Sequence, residues 1–218
     1  MTIVTRWWLI RHAPVINPEH RIYGQSDVEA DTADTAAFRA LAGALPRGAV
    51  WVATHLRRTQ QTTSAIHAAW ENPAESDKPL RPQIEPALAE QSFGDWQGLT
   101  HDELNATRPQ AAHRFWLAPA VERPPGGESF ADVVARVSAA LERLTDAHAG
   151  RDVVAVLHGG PIRAALALAL DLDLDAALRF RVDTLSLTRL DHIAVPGHPP
   201  AWRVAGVNLP PGAVLLPG

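Results

Sequence analysis

The segment WWLIRH at residues 7–12 decides the fold class, because a short apolar run ends abruptly in two polar residues. Consecutive apolar residues without alternation are typical of a strand that is buried on both faces of a sheet. Such a strand carries Arg11 and His12 at its carboxyl end. We therefore predict a buried strand that is followed at once by a polar pair.

Two further apolar runs repeat this arrangement. Residues 50–53 precede THLRR at 54–58, and residues 153–157 precede HGG at 158–160. Helical patterns lie between and after these strands, and we predict helices over residues 35–45, from 57 to about 70, after Ser129, and from 161 to 170. Alternating strands and helices predict an α/β fold around a largely parallel sheet.

The remaining segments give weaker patterns. Residues 184–190 and 202–207 alternate in hydropathy, which favours later, antiparallel strands, and residues 87–90 suggest a short strand. We predict loops for 13–30 and for the proline-rich residues 71–86. Ser129 is a suitable N-cap, with Asp132 in a capping-box position. Since no repeat or linker is visible, we expect a single domain over residues 1–218.

Composition excludes several classes of protein. The net charge of −4 argues against a general binder of nucleic acid or anionic membranes. The absence of cysteine excludes disulfides, thiolate metal sites and cysteine nucleophiles. The opening MTIVTRWWLI contains Arg6 and is followed at once by Arg11, so it does not resemble a signal peptide. No apolar run is long enough to span a bilayer. We therefore expect a cytoplasmic protein.

The three strand ends predict an anion-binding site. Ligands gather at the carboxyl ends of parallel strands, so Arg11, His12, Arg58 and His158 are expected to converge. Arg57 and Arg58 open a helix, where positive charge costs roughly 0.3–1 kcal/mol unless an anion binds there. The alternative, a solvated arginine, applies mainly to Arg57. The glycines after His158 allow a ligand to approach a second helix start, although they also suit an ordinary turn.

Glu90 is a candidate general acid. A carboxyl group beside Phe93 and Trp96 would be partly desolvated, which suits proton transfer to a leaving group. The residues alone support this role only weakly, because most glutamates are surface residues.

Five segments resemble, in order, the motifs of the histidine phosphatase superfamily, the phosphoglycerate mutase-like proteins. They are LIRHAPVIN (9–17), THLRRTQQT (54–62), LAEQSFGDWQGLT (88–100), PGGESF (125–130) and VLHGGPIR (156–163). The resemblance covers nearly the whole chain. The chain departs from the pattern at Ala13, where the family has Gly, and at Thr54, where it has Ser. Neither departure removes a catalytic group.

The resemblance implies a three-layer α/β/α sandwich and a set of site residues. The implied catalytic residues are Arg11, His12, Arg58, Glu90 and His158. The implied substrate-binding residues are Asn17, Tyr23, Gly24 and Gly159. No metal ligand and no cofactor is implied.

The resemblance also implies a mechanism, in which neutral His12 attacks phosphorus and becomes a phosphohistidine. Arg11, Arg58 and a protonated His158 would stabilise the phosphoryl oxygens. Glu90 would protonate the leaving group and then activate water. The expected activity is metal-independent hydrolysis of a phosphomonoester. The expected partner is a small phosphorylated substrate, with no nucleic acid or membrane.

Three alternatives stay open at this point. A metal-dependent phosphoesterase is suggested by the ten histidines, although no H-E-x-x-H spacing is present. A non-enzymatic sensor of phosphorylated ligands would not need Glu90. A phosphoglycerate mutase is disfavoured because Gln91, Ser92 and Phe93 offer no cation for a substrate carboxylate, and because residues 90–126 form a short, proline-rich stretch. The substrate and the oligomeric state are not predicted.

Overall fold

One mixed sheet organises this computed structural model, which describes residues 1–70, 81–107 and 116–213. Its strands are β1 (Ile3–Arg11), β2 (Val50–Ala53), β3 (Gln83–Ile84), β4 (Asp152–Leu157), β5 (Leu187–Ala194) and β6 (Ala201–Leu209). Their order is β3-β2-β4-β1-β5-β6. The first four strands are parallel, and β5 and β6 are added by antiparallel pairing. The predicted α/β class with a mostly parallel sheet is confirmed.

Helices cover both faces of this sheet. They are α1 (Thr35–Ala44), α2 (Arg57–Ala68), α3 (His101–Thr107), α4 (Phe130–Ala147), α5 (Gly159–Leu170) and α6 (Leu174–Ala177). Helices α4 and α5 contribute to one core cluster, and α1 and α2 contribute to the other. The result is the three-layer α/β/α sandwich that the family resemblance implied.

The central strands show why no alternation was visible in their sequences. In β1, Trp7 packs into the core shared with α4 and α5, while Trp8 packs into the core shared with α1 and α2. In β4, Val153 and Val154 divide between the two cores in the same way. Side chains alternate across a strand, so a strand that is covered on both faces needs apolar residues at every position.

The start of α4 follows the sequence prediction. The Ser129 hydroxyl accepts a hydrogen bond from the Asp132 backbone N–H at 3.2 Å, and the Asp132 carboxylate accepts one from the Ser129 N–H at 2.7 Å. This capping box fixes the chain immediately after the PGGESF segment.

Two predictions between β2 and α3 were wrong. Residues 87–90 were expected to form a strand, but Pro86–Leu88 is a 3-10 turn. The Glu85 carboxylate caps this turn by accepting from the Ala87 N–H, and Pro86 has no N–H to give to a sheet. The strand lies earlier, at Gln83–Ile84, inside the predicted loop 71–86. Residues 71–80 of that loop lie outside the described residues.

Within the ranges that the structure describes, no helix combines the length and the apolar character that crossing a membrane requires.

Candidate active site

The three predicted strand ends meet at one edge of the sheet. In the register of the parallel strands, Arg11 lies beside Leu157. The His12 N–H donates to the Leu157 carbonyl at 3.0 Å, and the rings of His12 and His158 lie 5.2 Å apart. Arg58 donates to His158. The predicted convergence of these four residues is therefore what the structure has.

His12 is held as a neutral imidazole with one free nitrogen. Its Nδ1 lies 2.7 Å from the carbonyl oxygen of Ala13, and since a carbonyl only accepts, Nδ1 carries the proton. Its Nε2 is buried and has no hydrogen-bond partner among the described residues. Burial, helped by the positive charges of Arg58 and Arg11, holds the pKa of His12 well below the usual range. Nε2 therefore keeps its lone pair at neutral pH.

Arg58 is fully buried and donates to neutral acceptors. Its Nη1 donates to the Ser26 carbonyl at 2.9 Å, its Nη2 to the Gly24 carbonyl at 2.7 Å, and its Nε to His158 Nδ1 at 3.2 Å. Burial lowers the pKa of Arg58, but a guanidinium remains charged at neutral pH. Among the described residues, no carboxylate accepts a hydrogen bond from Arg58, so its positive charge is held in place by neutral groups.

His158 lies within a hydrogen-bond chain that runs in one direction. Its Nδ1 accepts from Arg58, so its Nε2–H donates to Thr54 Oγ1 at 3.0 Å. Thr54 in turn contacts Thr59 Oγ1 at 3.0 Å, and Thr59 donates to the Leu56 carbonyl at 2.8 Å. This order leaves no nitrogen of His158 for a second proton.

The state of His158 differs from the protonated form that the resemblance implied. Burial and the nearby charge of Arg58 hold its pKa well below the usual range, so His158 is neutral in this structure. The positive charge around His12 therefore comes from Arg11 and Arg58. Arg11 donates from Nη1 to the Val182 carbonyl at 2.6 Å, while its buried Nε has no partner among the described residues.

Glu90 is buried against the first turn of α5, the helix that follows His158. Its Oε1 accepts from the Gly160 N–H at 3.1 Å and from the Gln91 N–H at 3.0 Å. A Cβ atom at Gly160 would collide with this oxygen, so the contact depends on glycine. Phe93 and Trp96, the expected neighbours of the carboxyl group, pack in an apolar cluster with Ile22, Leu104 and Ala118.

The predicted substrate-binding residues divide into two groups. Tyr23 lies 5.0 Å below the Arg58 guanidinium and 6.5 Å from the His12 ring, and Gly24 supplies a carbonyl to Arg58. Gly159 begins α5 beside Arg11. Asn17 instead exchanges two hydrogen bonds with the Arg21 backbone. Substrate binding by these residues stays a prediction.

Arg57 is a solvated arginine, which was the alternative to anion binding for this residue. It is exposed and forms an ion pair with Glu29. Its backbone N–H, at the start of α2, donates to the Asp27 carboxylate at 2.8 Å. The chain's own carboxylate therefore lies where an anion was expected at this helix start.

Sequence reasoning missed the residues that position Glu90. Arg136 donates to the Glu90 carbonyl at 3.1 Å and to the Ala89 carbonyl at 2.8 Å, and it forms an ion pair with Glu128. Glu128 also accepts from the Ser92 N–H at 2.9 Å. The PGGESF segment thus has a function that its sequence did not reveal, because it holds the chain on both sides of Gln91.

Arg163 was also missed, although one feature of the sequence could have found it. It is the only charged residue in α5, GGPIRAALALAL, and it lies on the turn that faces Gly159. A single charged residue in an otherwise apolar helix needs a specific polar environment.

In the described ranges, no group of three histidine, aspartate or glutamate side chains is arranged to hold a metal ion.

Comparisons with known proteins agree with this geometry. Residues 7–199 match the histidine phosphatase superfamily, branch 1. A bifunctional protein of Mycobacterium tuberculosis is 34% identical over 188 residues, which cover 84% of this chain and 49% of that protein. The chain therefore spans about half the length of the first curated relatives that it matches.

Two further relatives have different named activities. A 2,3-bisphosphoglycerate-dependent phosphoglycerate mutase of Gloeobacter violaceus is 34% identical over 72% of each chain. The solved structure of a mycobacterial glucosyl-3-phosphoglycerate phosphatase superimposes with a TM-score of 0.77, is 28% identical, and covers 94% of this chain and 99% of its own.

Proposed function

Since the chain belongs to the histidine phosphatase superfamily, branch 1, we propose that it hydrolyses phosphate monoesters of a small metabolite through a phosphohistidine on His12. The observation that carries the proposal is His12 Nε2, a buried nitrogen with a free lone pair that lies within the electrostatic field of two arginines, Arg58 and Arg11. A neutral imidazole in this state is a nucleophile, and the arginines attract the phosphoryl group that it attacks.

The first step forms a bond between His12 Nε2 and phosphorus while the bond from phosphorus to the leaving oxygen breaks. Arg11 and Arg58 stabilise the charge on the phosphoryl oxygens, which is greatest in the transition state. Glu90 gives its proton to the leaving oxygen, so an alcohol departs and Glu90 becomes a carboxylate.

The second step returns the enzyme to its starting state. Water attacks phosphorus, and Glu90 takes one proton from it. The bond between phosphorus and nitrogen breaks, which releases inorganic phosphate and restores neutral His12. The chain's own arginines supply the positive charge in both steps, and no metal is required.

The relatives include a mutase and a phosphatase, so identity does not choose between these activities. We favour hydrolysis because the residues after Glu90 are used internally. Gln91 accepts from the Trp116 indole N–H and donates to the Glu128 carbonyl, and Ser92 bonds to the Glu128 side chain. Rapid isomerisation of 3-phosphoglycerate in the presence of the 2,3-bisphosphate primer, faster than phosphate release from any ester, would favour the mutase.

Rapid quenching with radiolabelled p-nitrophenyl phosphate tests the proposal. We expect an acid-labile, base-stable label on the wild type and none on His12→Ala. The exposed His55 provides a matched control, because His55→Ala removes the same side chain outside the site. A base-labile label, or an equal label on His12→Ala, would overturn the assignment.

Activity should also survive chelation by EDTA. A loss of activity that one divalent metal restores would support a metal-dependent hydrolase.

A further inference from the structure

Thr62 connects the two segments that carry His12 and Arg58. It lies in the middle of α2 and is fully buried. Its hydroxyl accepts a hydrogen bond from the backbone N–H of Ala13 at 2.9 Å and donates one to the Arg58 carbonyl at 2.7 Å. One oxygen atom therefore joins the residue after His12 to the helix turn that presents Arg58.

The backbone of Ala13 is where this connection reaches the nucleophile. The Ala13 carbonyl lies 2.7 Å from His12 Nδ1, which keeps the proton on Nδ1 and leaves the lone pair of Nε2 free. Within the described part of the chain, this is the only hydrogen bond of the His12 ring. The position of the Ala13 carbonyl therefore sets both the tautomer and the orientation of this imidazole.

Two restraints fix the direction of that carbonyl. The bond to Thr62 holds the plane of the peptide group between His12 and Ala13, because the Ala13 N–H lies in this plane. Pro14 follows, and a residue before proline is biased toward extended backbone. Ala13 is fully buried, so loss of the Thr62 hydroxyl would leave a buried N–H without its partner. Such a group is costly, which favours a rearrangement of this peptide.

The next residue of α2 shows that this contact belongs to one position of the helix. Thr63 is also buried, and its hydroxyl donates to the Thr59 carbonyl at 2.8 Å, just as that of Thr62 donates to Arg58. Among the residues that the structure describes, no N–H group donates to the Thr63 hydroxyl. A bond within the helix is therefore enough to satisfy a threonine hydroxyl here, and helix packing does not explain the bond between Thr62 and Ala13.

We propose that Thr62 is a positioning residue for the nucleophile: by holding the Ala13 peptide, it keeps His12 in the tautomer and orientation that leave Nε2 free to attack phosphorus. Thr62 itself touches no reacting atom and acts through Ala13. The kinetic part of this inference rests on the proposed function, whereas the tautomer of His12 can be observed without any substrate.

Nitrogen NMR of histidine-labelled protein at neutral pH tests the tautomer. The signals of His12 are identified by their loss in His12→Ala. We expect an unprotonated Nε2 and a protonated Nδ1 in the wild type. Thr62→Val removes the hydroxyl and keeps a branched side chain, and in this variant a measurable fraction of His12 should carry its proton on Nε2.

Rapid quenching with p-nitrophenyl phosphate measures how fast the phosphoenzyme forms. This rate should fall by about tenfold to a hundredfold in Thr62→Val, as expected when a reacting group is displaced by about 1 Å. Thr62→Ser keeps the hydroxyl and should restore both the rate and the Nε2 signal. Binding of inorganic phosphate, measured by calorimetry, should stay near the wild-type value in both variants, because Arg11 and Arg58 are unchanged.

Thr63→Val is the matched control. It removes the same hydroxyl one residue along α2 and leaves the bond between Thr62 and Ala13 intact. We expect the wild-type rate and the wild-type His12 spectrum. If circular dichroism shows that Thr62→Val does not fold, Thr62→Ala and Thr62→Ser replace it, because they differ in the hydroxyl and both lack the methyl group.

Several outcomes would overturn the proposal. One is a wild type whose His12 carries its proton on Nε2, and another is a His12 spectrum that the loss of the Thr62 hydroxyl leaves unchanged. Equal changes in Thr63→Val would assign the effect to the packing of α2. A changed tautomer with an unchanged rate would show that Thr62 does not position the nucleophile. A wild type with the expected tautomer but no phosphoenzyme would contradict the proposed function and leave the hold of Thr62 on His12 standing.

Discussion

Arg189 and Arg58 are both buried, and the protein satisfies their guanidinium groups in opposite ways. Arg189, on β5, donates to the Asp191 carboxylate at 3.0 Å, and Arg203, on β6, donates to the other oxygen of Asp191. Arg58, at the start of α2, donates to two carbonyls and an imidazole. Arg189 is 3% exposed and Arg58 is 0% exposed, so burial does not distinguish them.

The difference shows how the hydrogen-bond partners of a buried arginine determine whether its charge can act on a ligand. A guanidinium that is paired with a carboxylate has its electrostatic field compensated inside the protein. A guanidinium that is held by neutral groups is rigid, but its field still extends to a neighbouring anion. The cluster of Arg189, Asp191 and Arg203 is complete by itself, whereas under the proposed function a phosphoryl group would complete the surroundings of Arg58.

The largest expected effect is a loss of activity without a matching loss of stability when Arg58 is replaced. Arg58→Gln should lower kcat/KM by about 10³-fold or more, as for other arginines that stabilise phosphoryl transfer. Its free energy of unfolding should change by less than about 1.5 kcal/mol, because lost hydrogen bonds are offset by relief of a desolvated charge. Steady-state assays with p-nitrophenyl phosphate and urea denaturation measure the two quantities.

Asp191→Asn is the counterpart and should show the reverse. It leaves Arg189 buried without a charge partner, so the free energy of unfolding should fall by about 3–5 kcal/mol. Turnover of the folded protein should stay at the wild-type value, because Asp191 lies far from the site. In the β1–β5 register, Asp191 is opposite Arg6, and Arg6 is about 16 Å along β1 from Arg11. If both variants lost stability equally and activity equally, the distinction between paired and unpaired arginines would be wrong.

The two carboxylates allow a second contrast. Asp191 gives both oxygens to arginines, while Glu90 Oε1 accepts from backbone N–H groups. We expect Glu90→Gln to slow hydrolysis of esters with poor leaving groups by roughly 10²–10⁴-fold, and p-nitrophenyl phosphate much less, since nitrophenolate departs without a proton. Equal losses on a sugar phosphate and on p-nitrophenyl phosphate would assign Glu90 to positioning.

The pH dependence of stability should come mainly from His12 and His158, because burial lowers their pKa values furthest; the pKa values of the less buried His148 and His192 are also lowered. The pKa values of His12 and His158 are lowered in the folded protein, against about 6.5 in the unfolded chain. The stability that these two histidines contribute is complete above about pH 6.5. It is lost as pH falls below that value, because the imidazoles bind protons in the unfolded chain but stay neutral in the folded protein.

Each of these histidines should lower the free energy of unfolding by up to about 1.4 kcal/mol per pH unit in that acidic range. Denaturant titrations between about pH 7.5 and 5 measure the slope, which His158→Gln should reduce. The exposed His55 gives the control, since His55→Gln should leave the slope unchanged. A His158→Gln slope equal to that of the wild type would mean that His158 is protonated in the folded state.

The smallest expected effect lies in the hydrogen-bond chain behind Arg58. Thr54→Val keeps the volume but removes the acceptor of the His158 Nε2–H, which should lower kcat by about tenfold with little change in KM. Thr54→Ser keeps the hydroxyl and should retain activity. Nitrogen NMR of His158 reports the tautomer directly, and an unchanged spectrum in Thr54→Val would show that Thr54 does not orient this ring.

The sequence predicted the parts of this molecule that depend on local patterns. Unbroken apolar runs placed β1, β2 and β4, and their shared carboxyl edge followed from parallel pairing. Family motifs then pointed to Glu90, whose own surroundings were uninformative. Residues 87–90 were misassigned because the pattern could not weigh Pro86 and the Glu85 cap against a short apolar run.

What could not be predicted depends on contacts between distant segments. The neutral state of His158 follows from Arg58 and Thr54, which lie about a hundred residues earlier in the chain. Arg136 reaches the backbone of Glu90 from the middle of α4, and Arg163 stacks on the Trp116 ring. Pattern reasoning assigns each of these residues to an element but gives no orientation of its side chain.

The position of β1 has a consequence for how the protein is made. Strand β1 is synthesised before the other strands of this sheet, yet it lies between β4 and β5, which both come from the second half of the sequence. Until residues 152–157 have been synthesised, the apolar strand that carries His12 has neither of its native partners. Such long-range pairing is slow and leaves an adhesive strand exposed meanwhile. During translation, the segment that carries His12 therefore also needs protection from aggregation.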